Sequence, residues 1–149
     1  MVLTDNRWRG LQPGVSTEQD VLRLLGEPGR IFERVDYGAL KGLRLLTYYG
    51  QSQSAYTNGK SLVLMNLAPT RANGLAHAAG PWLTALGPPE NPRHLPSTAG
   101  KGAYIALYAS RGLALHVLGE HIDLIEQFPP LPAATYVEQL YEKPADFTL

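Results

Sequence analysis

Residues 16–28, Ser16-Thr-Glu-Gln-Asp-Val-Leu-Arg-Leu-Leu-Gly-Glu-Pro28, carry the pattern of a short amphipathic helix with both ends marked. Ser16 and Gln19 stand at capping-box spacing, in which the two side chains satisfy the first free N–H groups of a helix. Apolar side chains recur at helical spacing between residues 21 and 25. Gly26 and Pro28 are typical of a helix end. The sequence therefore predicts a helix over residues 17–25 with one apolar side.

The glycines that mark helix ends and turns recur about 60 residues later in the chain. At an offset of 61, Gly26 falls on Gly87, and at an offset of 60, Gly59 falls on Gly119. Gly59 and Gly119 each stand in a predicted hairpin turn, at residues 58–59 and 119–120. We therefore expect an α+β fold, a tandem repeat of helix plus antiparallel β-sheet units followed by a C-terminal helix. The first repeat covers residues 1–70, the second covers 71–130 and the tail helix lies within 131–149.

The second half predicts three strands, over residues 103–109, 112–118 and 121–128. A three-residue hairpin loop at 110–112 pairs Ala109 with Leu113. The turn at 119–120 pairs Val117 with Ile122 and sets His116 across from Asp123. One sheet face is then uniformly apolar, as expected of a face covered by a helix. It consists of Ile105, Leu107, Leu113, Leu115, Val117, Ile122 and Leu124.

The opening of the chain resembles a known family. Residues 10–28, from Gly10-Leu-Gln-Pro-Gly14 to Gly26-Glu-Pro28, are similar to the GxxPG(M/V)(S/T)xxxVxxxLGxP opening of the SmpA/OmlA-like superfamily. That superfamily includes the small lipoprotein of the outer-membrane β-barrel assembly machine and the secreted β-lactamase inhibitory protein. The second of these is a tandem repeat of the helix-plus-sheet unit. The resemblance implies a binding or scaffolding module rather than an enzyme.

The sheet face opposite the predicted apolar face carries tyrosine and histidine side chains. Tyrosine is enriched at the energetic centres of protein interfaces. The expected function is therefore non-enzymatic protein binding or scaffolding, with a protein partner or a second copy of the chain. Two other readings stay open, a face covered by the chain's own tail helix and a plain solvated face. The candidate partner-binding residues are Tyr48, Tyr56, Tyr104, Tyr108, His116, His121 and Asp123.

Composition narrows the chemistry that this chain could perform. The chain of 149 residues has no cysteine, which excludes a disulfide scaffold, a cysteine-based zinc site and a thiol nucleophile. Its 13 basic and 13 acidic residues argue against an electrostatic nucleic-acid binder. We expect no cofactor and no metal. The alternative function is a small-ligand or metal-dependent enzyme that uses His116, His121 and Asp123.

No stretch of the sequence has the length and apolarity of a signal peptide or a membrane-spanning helix. The expected location is the cytoplasm, without a membrane partner. Charge is unevenly spread, because residues 120–149 hold six acids and one base while the rest of the chain is mildly basic. The sequence therefore predicts an acidic tail that is either solvated or docked on the remainder of the chain.

Overall fold

A computed structural model of the chain describes residues 1–91 and 94–145. One antiparallel sheet of seven strands, in the order β1-β2-β3-β4-β7-β6-β5, forms the centre of the fold. The expected α+β class, antiparallel sheet and C-terminal helix are confirmed. The elements are α1 (Glu18–Leu25), β1 (Arg30–Tyr37), β2 (Leu40–Tyr48), β3 (Gln53–Thr57), β4 (Leu62–Leu67), α2 (Ala79–Leu86), β5 (Tyr104–Tyr108), β6 (Leu113–Leu118), β7 (His121–Gln127) and α3 (Ala133–Gln139).

Helix α1 begins one residue later than its predicted capping box. Thr17 is the N-cap, because its hydroxyl accepts from the Asp20 N–H at 3.1 Å while the Asp20 carboxylate accepts from the Thr17 N–H at 2.9 Å. The Ser16 hydroxyl accepts instead from the Gln12 N–H at 2.9 Å. The predicted pairing of Ser16 with Gln19 is therefore wrong. The short side chain of Asp20 places its carboxylate within reach of the Thr17 N–H, and the Ser16 hydroxyl is already bonded in the turn that precedes the helix.

Two buried clusters lie on opposite faces of the sheet. We call the face that packs against α1 and α2 the helix face, and the face that packs against α3 the tail face. Trp82, fully buried, is the largest side chain of α2 in the helix-face cluster, and its Nε1–H donates to the Ala76 carbonyl at 2.7 Å. Tyr136 of α3, also fully buried, belongs to the tail-face cluster. Both faces of the second half of the sheet are therefore covered.

The connection between β5 and β6 is one residue longer than predicted. Residues 109–111 form a 3-10 turn and Gly112 takes a left-handed conformation, so that Tyr108 pairs with Leu113 and Leu107 with Ala114. The predicted pairing of Ala109 with Leu113 is wrong. Because side chains alternate along a strand, this one-residue difference moves every side chain of β5 to the other face. Ile105 and Leu107 belong to the tail-face cluster, while Ala106 and Tyr108 belong to the helix-face cluster.

A β-bulge also changes the predicted register between β6 and β7. Val117 pairs with Ile122 as predicted, but the register shifts beyond that pair, so that His116 pairs with Leu124 and Leu115 with Ile125. Asp123 lies at this shift and is exposed. The predicted placement of His116 across from Asp123 is therefore wrong. One extra residue in the bulged strand reverses the faces of the residues that follow it.

The outer edges of the sheet are protected in different ways. Strand β1 is interrupted by two register shifts and carries charged side chains. Strand β5 is lined by the segment that precedes it. The Ile105 N–H donates to the Leu95 carbonyl at 2.8 Å, and the Asn91 side chain bonds the Ile105 carbonyl and the Leu107 N–H, both at 2.7 Å. The outward backbone groups of β5 are therefore already paired.

Within the described ranges 1–91 and 94–145, every helix is too short to cross a lipid bilayer.

Candidate functional site

The tail face has a buried carboxylate, Glu126, near its centre. Glu126 lies on β7 opposite Asn66 of β4, where the two halves of the sheet meet, and is 3% exposed. Its Oε1 atom accepts from the Tyr136 hydroxyl at 2.5 Å and is 2.7 Å from His116 Nε2. Its Oε2 atom accepts from the Tyr37 hydroxyl. Each oxygen of this buried carboxylate is therefore hydrogen-bonded, as burial of a charge requires.

Glu126 joins three segments that are distant in sequence. Tyr37 ends β1, Tyr136 lies on α3 and His116 lies on β6. His116 is itself 2.6 Å from Ser97 Oγ through Nδ1, which connects the loop before β5 to the same cluster. We call Tyr37, Ser97, His116, Glu126 and Tyr136 the Glu126 cluster. It holds the β1–β2 hairpin, the loop before β5 and the tail helix against one face of the sheet.

The β1–β2 hairpin also contacts the tail directly. The Ala39 N–H donates to the Gln139 carbonyl at 2.9 Å, where α3 ends. Gly38 makes this approach possible, since a Cβ atom there would lie 2.5 Å from the Gln139 carbonyl oxygen. Its φ of +56° is also a left-handed conformation that glycine adopts without strain. The hairpin and the tail together cover the centre of the tail face.

Beneath the hairpin and the tail lies a cavity of about 450 Å³. Its walls include the rings of Tyr37 and Tyr56, the imidazole of His116 and the carboxylate of Glu126. The Tyr37 and Tyr56 rings meet edge to face, with centroids 4.9 Å apart and planes at 73°. Tail residues 140–143 form the opposite wall. The cavity is therefore polar, aromatic and placed at the junction of the two sheet halves.

Three of the predicted binding residues lie on the helix face instead. The Tyr48 hydroxyl donates to the Gly26 carbonyl at 3.0 Å, and the Tyr108 hydroxyl donates to the Gly87 carbonyl at 2.8 Å. Both rings are buried, so each tyrosine ties the end of a helix to the sheet. Tyr104 is half-buried and packs against the same helix-face cluster. These positions stabilise the fold on the side away from the cavity.

The remaining predicted residues divide between the cavity and the surface. Tyr56 and His116 both line the cavity. His121 is exposed and stacks on His77, with ring centroids 4.5 Å apart, and Asp123 is exposed at the bulge. The seven predicted side chains therefore do not share one face. Of His116, His121 and Asp123, the structure places only His116 in the cavity wall, and an enzymatic use of the three side chains stays a prediction.

Sequence reasoning missed Glu126, Tyr37, Tyr136 and Ser97. One signal was present for Glu126, since it is an acid that directly follows the apolar pair Leu124-Ile125 within a predicted strand. A charge in a buried strand requires partners, and such positions are frequently functional. The partners lie 89 residues before Glu126 at Tyr37 and 10 residues after it at Tyr136, which no local pattern connects.

Ser97, His116 and Glu126 form a chain of hydrogen bonds of the type found in serine hydrolases. The Ser97 hydroxyl of this chain has a further backbone partner and is buried. The Ser97 hydroxyl already accepts from the Ala99 N–H at 3.0 Å, and Ser97 is 3% exposed. The described part of the chain also contains no cluster of three metal-ligating side chains.

Burial of the tyrosine hydroxyls predicts alkaline sensitivity of the fold. Burial, and then the charge of Glu126, raise the pKa of Tyr37 and of Tyr136 well above 10. The unfolded chain ionises its tyrosines near pH 10, so the stabilisation is complete below that pH and is lost as the pH rises above it. We expect absorbance at 295 nm to show tyrosines that ionise only together with loss of circular dichroism. Tyr37→Phe and Tyr136→Phe should each remove one of them, whereas an ordinary, independent titration of all eight tyrosines would contradict this.

Comparison of the chain with known proteins found no matching family model, no matching curated protein and no matching solved structure.

Proposed function

We propose that the chain is a non-enzymatic protein-binding module and that its binding site is the cavity with the adjoining half of the tail face. The observation that carries this proposal is the cavity itself, which persists although α3 packs on the same face. Beside it, Phe32, Leu45 and Tyr56 are only partly buried. Partly exposed aromatic and aliphatic side chains around a polar cavity are a common composition for an interface centre.

The proposal includes the expected tandem repeat and its boundaries at residues 70 and 130. Several features support it. Helices α1 and α2 have the same length at an offset of 61, and both end in a glycine of nearly equal backbone angles. Tyr48 and Tyr108 make equivalent hydrogen bonds at an offset of 60. A repeat explains why one sheet carries two helices on the same face. The same arrangement underlies the proposed kinship with the SmpA/OmlA-like superfamily.

The tail modifies the surface that the sequence predicts. Helix α3 covers the second half of the tail face, where Tyr136 packs on Phe128 with ring centroids 5.3 Å apart. The first half is not covered in this way. A partner would therefore contact Phe32, Leu45, Tyr56 and the cavity, and the tail would form one border of the site.

Site-specific photo-crosslinking tests this proposal. A photoreactive amino acid at Thr98, which is exposed and lines the cavity, is compared with one at Thr84, which is exposed on α2. In extract of the native host, we expect a crosslinked protein at Thr98 only. Tyr56→Ala should reduce its yield about tenfold or more, as truncation of a central interface tyrosine does. Tyr49→Ala is the matched control, because Tyr49 is 67% exposed outside the cavity.

Three outcomes would contradict the proposal. Equal crosslinking at Thr98 and Thr84 would show that contact is not specific to the tail face. A product insensitive to Tyr56→Ala would exclude the open half as the site. Crosslinking of the chain only to itself would establish the homodimer in place of a separate partner.

A further inference from the structure

Two tyrosine rings form a corner in the wall of the cavity. Tyr37 and Tyr56 stand nearly at right angles and both border the cavity. Aromatic faces attract cations through their quadrupole, and cages of such rings recognise alkylammonium groups. Tyr141 borders the same cavity from the tail. The walls therefore offer the aromatic part of a cation site.

The carboxylate beside these rings lacks a permanent cationic partner. Among the described residues, no lysine or arginine forms an ion pair with Glu126, whose charged or polar neighbours are His116 and two tyrosines. Glu18, the other buried acid within residues 1–91 and 94–145, is paired with Arg44 at 3.0 Å. Glu142 and Asp36 add two further carboxylates to the cavity wall, of which Asp36 is paired with Lys41. The cavity is thus bordered by more negative charge than its own pairs neutralise.

The negative charge acts on the tyrosine rings. Burial raises the pKa of Tyr56, and the charges of Glu126 and Glu142 raise it further. An anionic phenolate is disfavoured there for the same electrostatic reason that a cation is favoured. The negative potential at Tyr56 is therefore consistent with the carboxylates in the cavity wall.

Two lysines near the cavity leave this imbalance in place. Lys41 pairs with Asp36 at 3.4 Å on an exposed edge. Lys143 borders the cavity but is exposed, and no ion pair joins it to a carboxylate in the described residues. The Lys143 ammonium group therefore borders the cavity without a fixed carboxylate partner, and it would compete with a bound cation.

We infer that the cavity recognises a lysine-type ammonium group of the partner protein, held against Tyr37 and Tyr56 and close to Glu126 and Glu142. This inference rests on the proposed function and specifies the chemistry of the contact. Charge complementarity at a desolvated aromatic corner gives such a site its selectivity for a cation over a neutral group of equal shape.

The test titrates n-butylammonium, the lysine side-chain analogue, against the full chain and follows backbone amide shifts by two-dimensional NMR. Neutral n-butanol is the matched probe. We expect saturable shifts around Tyr56 and Thr98 with n-butylammonium and at least tenfold weaker binding of n-butanol. Glu142→Gln should weaken n-butylammonium binding severalfold, whereas Lys143→Ala should strengthen it. Glu138→Gln, an exposed acid on α3, is the control and should change nothing.

Equal binding of n-butanol and n-butylammonium, or shifts unaffected by Glu142→Gln and Lys143→Ala, would overturn the inference. The absence of any saturable shift would also overturn it. If Tyr56-dependent crosslinking at Thr98 persists in these cases, the binding function stands and only the cation chemistry fails. If that crosslinking is absent as well, the proposed function fails with it.

Discussion

Replacing Glu126 by alanine is expected to lower the free energy of unfolding by about 3 to 5 kcal/mol, the usual effect of removing one partner from a buried charged cluster. The substitution leaves the Tyr136 hydroxyl and the His116 imidazole without their acceptor at Glu126, and leaves the Tyr37 hydroxyl with Asn66 Oδ1, at 3.2 Å, as its acceptor. Each buried donor without a partner costs about 1 to 3 kcal/mol. Urea unfolding followed by circular dichroism measures the change.

The structure supplies a matched control for this prediction. Glu138 is an exposed acid on α3, and Glu138→Ala should change the free energy of unfolding by no more than about 0.5 kcal/mol. A double-mutant cycle of Glu126→Ala with Tyr136→Phe should give a coupling energy of about 1 kcal/mol or more, because the two side chains share a hydrogen bond. A loss below about 1 kcal/mol for Glu126→Ala would show that the cluster does not hold the tail to the sheet.

Replacing Gly112 by alanine should destabilise the chain by about 3 kcal/mol or more, through the combination of a strained backbone and a steric clash. Gly112 has a φ of +67° and ends the turn between β5 and β6. An added Cβ would lie 2.1 Å from the Phe128 carbonyl oxygen. The same Gly112 accepts the Phe128 N–H at 3.0 Å through its carbonyl, so the two backbones cannot separate without loss of that bond.

A substitution at Gly119 separates the contribution of backbone strain from that of the steric clash. Gly119 has a φ of +62°, but no atom lies within 4 Å of its added Cβ. Gly119→Ala should therefore cost only the conformational strain, about 1 to 2 kcal/mol. Ser52 has a φ of +49° at the corresponding place in the turn before β3, which shows that such a turn accepts a side chain where space permits. Equal losses for Gly112→Ala and Gly119→Ala would refute the clash with Phe128.

Local signals in the sequence were sufficient for most elements. The predicted helix over residues 17–25 differs from α1 by one residue at its start, and the predicted turns at residues 58–59 and 119–120 lie in the connections β3–β4 and β6–β7. Caps, turn glycines and hydrophobic spacing act over a few residues, so they can be interpreted without the fold. Helix α3 lies within the predicted tail segment 131–149 and ends at Gln139, whose carbonyl accepts from the Ala39 N–H of the β1–β2 hairpin.

The candidate site depended on features that local patterns do not contain. The faces of β5, and of β7 after Ile122, were assigned wrongly because one extra residue in a turn and one bulge each reverse the side chains that follow or precede them. The Glu126 cluster joins residues from β1, β6, β7 and α3, which meet only after the sheet has formed. Of the seven predicted binding residues, Tyr56 and His116 line the cavity because their strand parity did not depend on the misassigned turn.

The pairing of the outer edge of β5 limits how this protein can meet others. The Leu95 carbonyl and the Asn91 side chain occupy the backbone groups that an added strand would use. Strand addition is the simplest route by which sheets recruit peptides or polymerise, and it requires an unpaired edge. On the other side, the irregular, charged β1 is a poor template. Growth of the sheet into a neighbouring molecule is thereby discouraged at both ends, and recognition is directed to its broad surface.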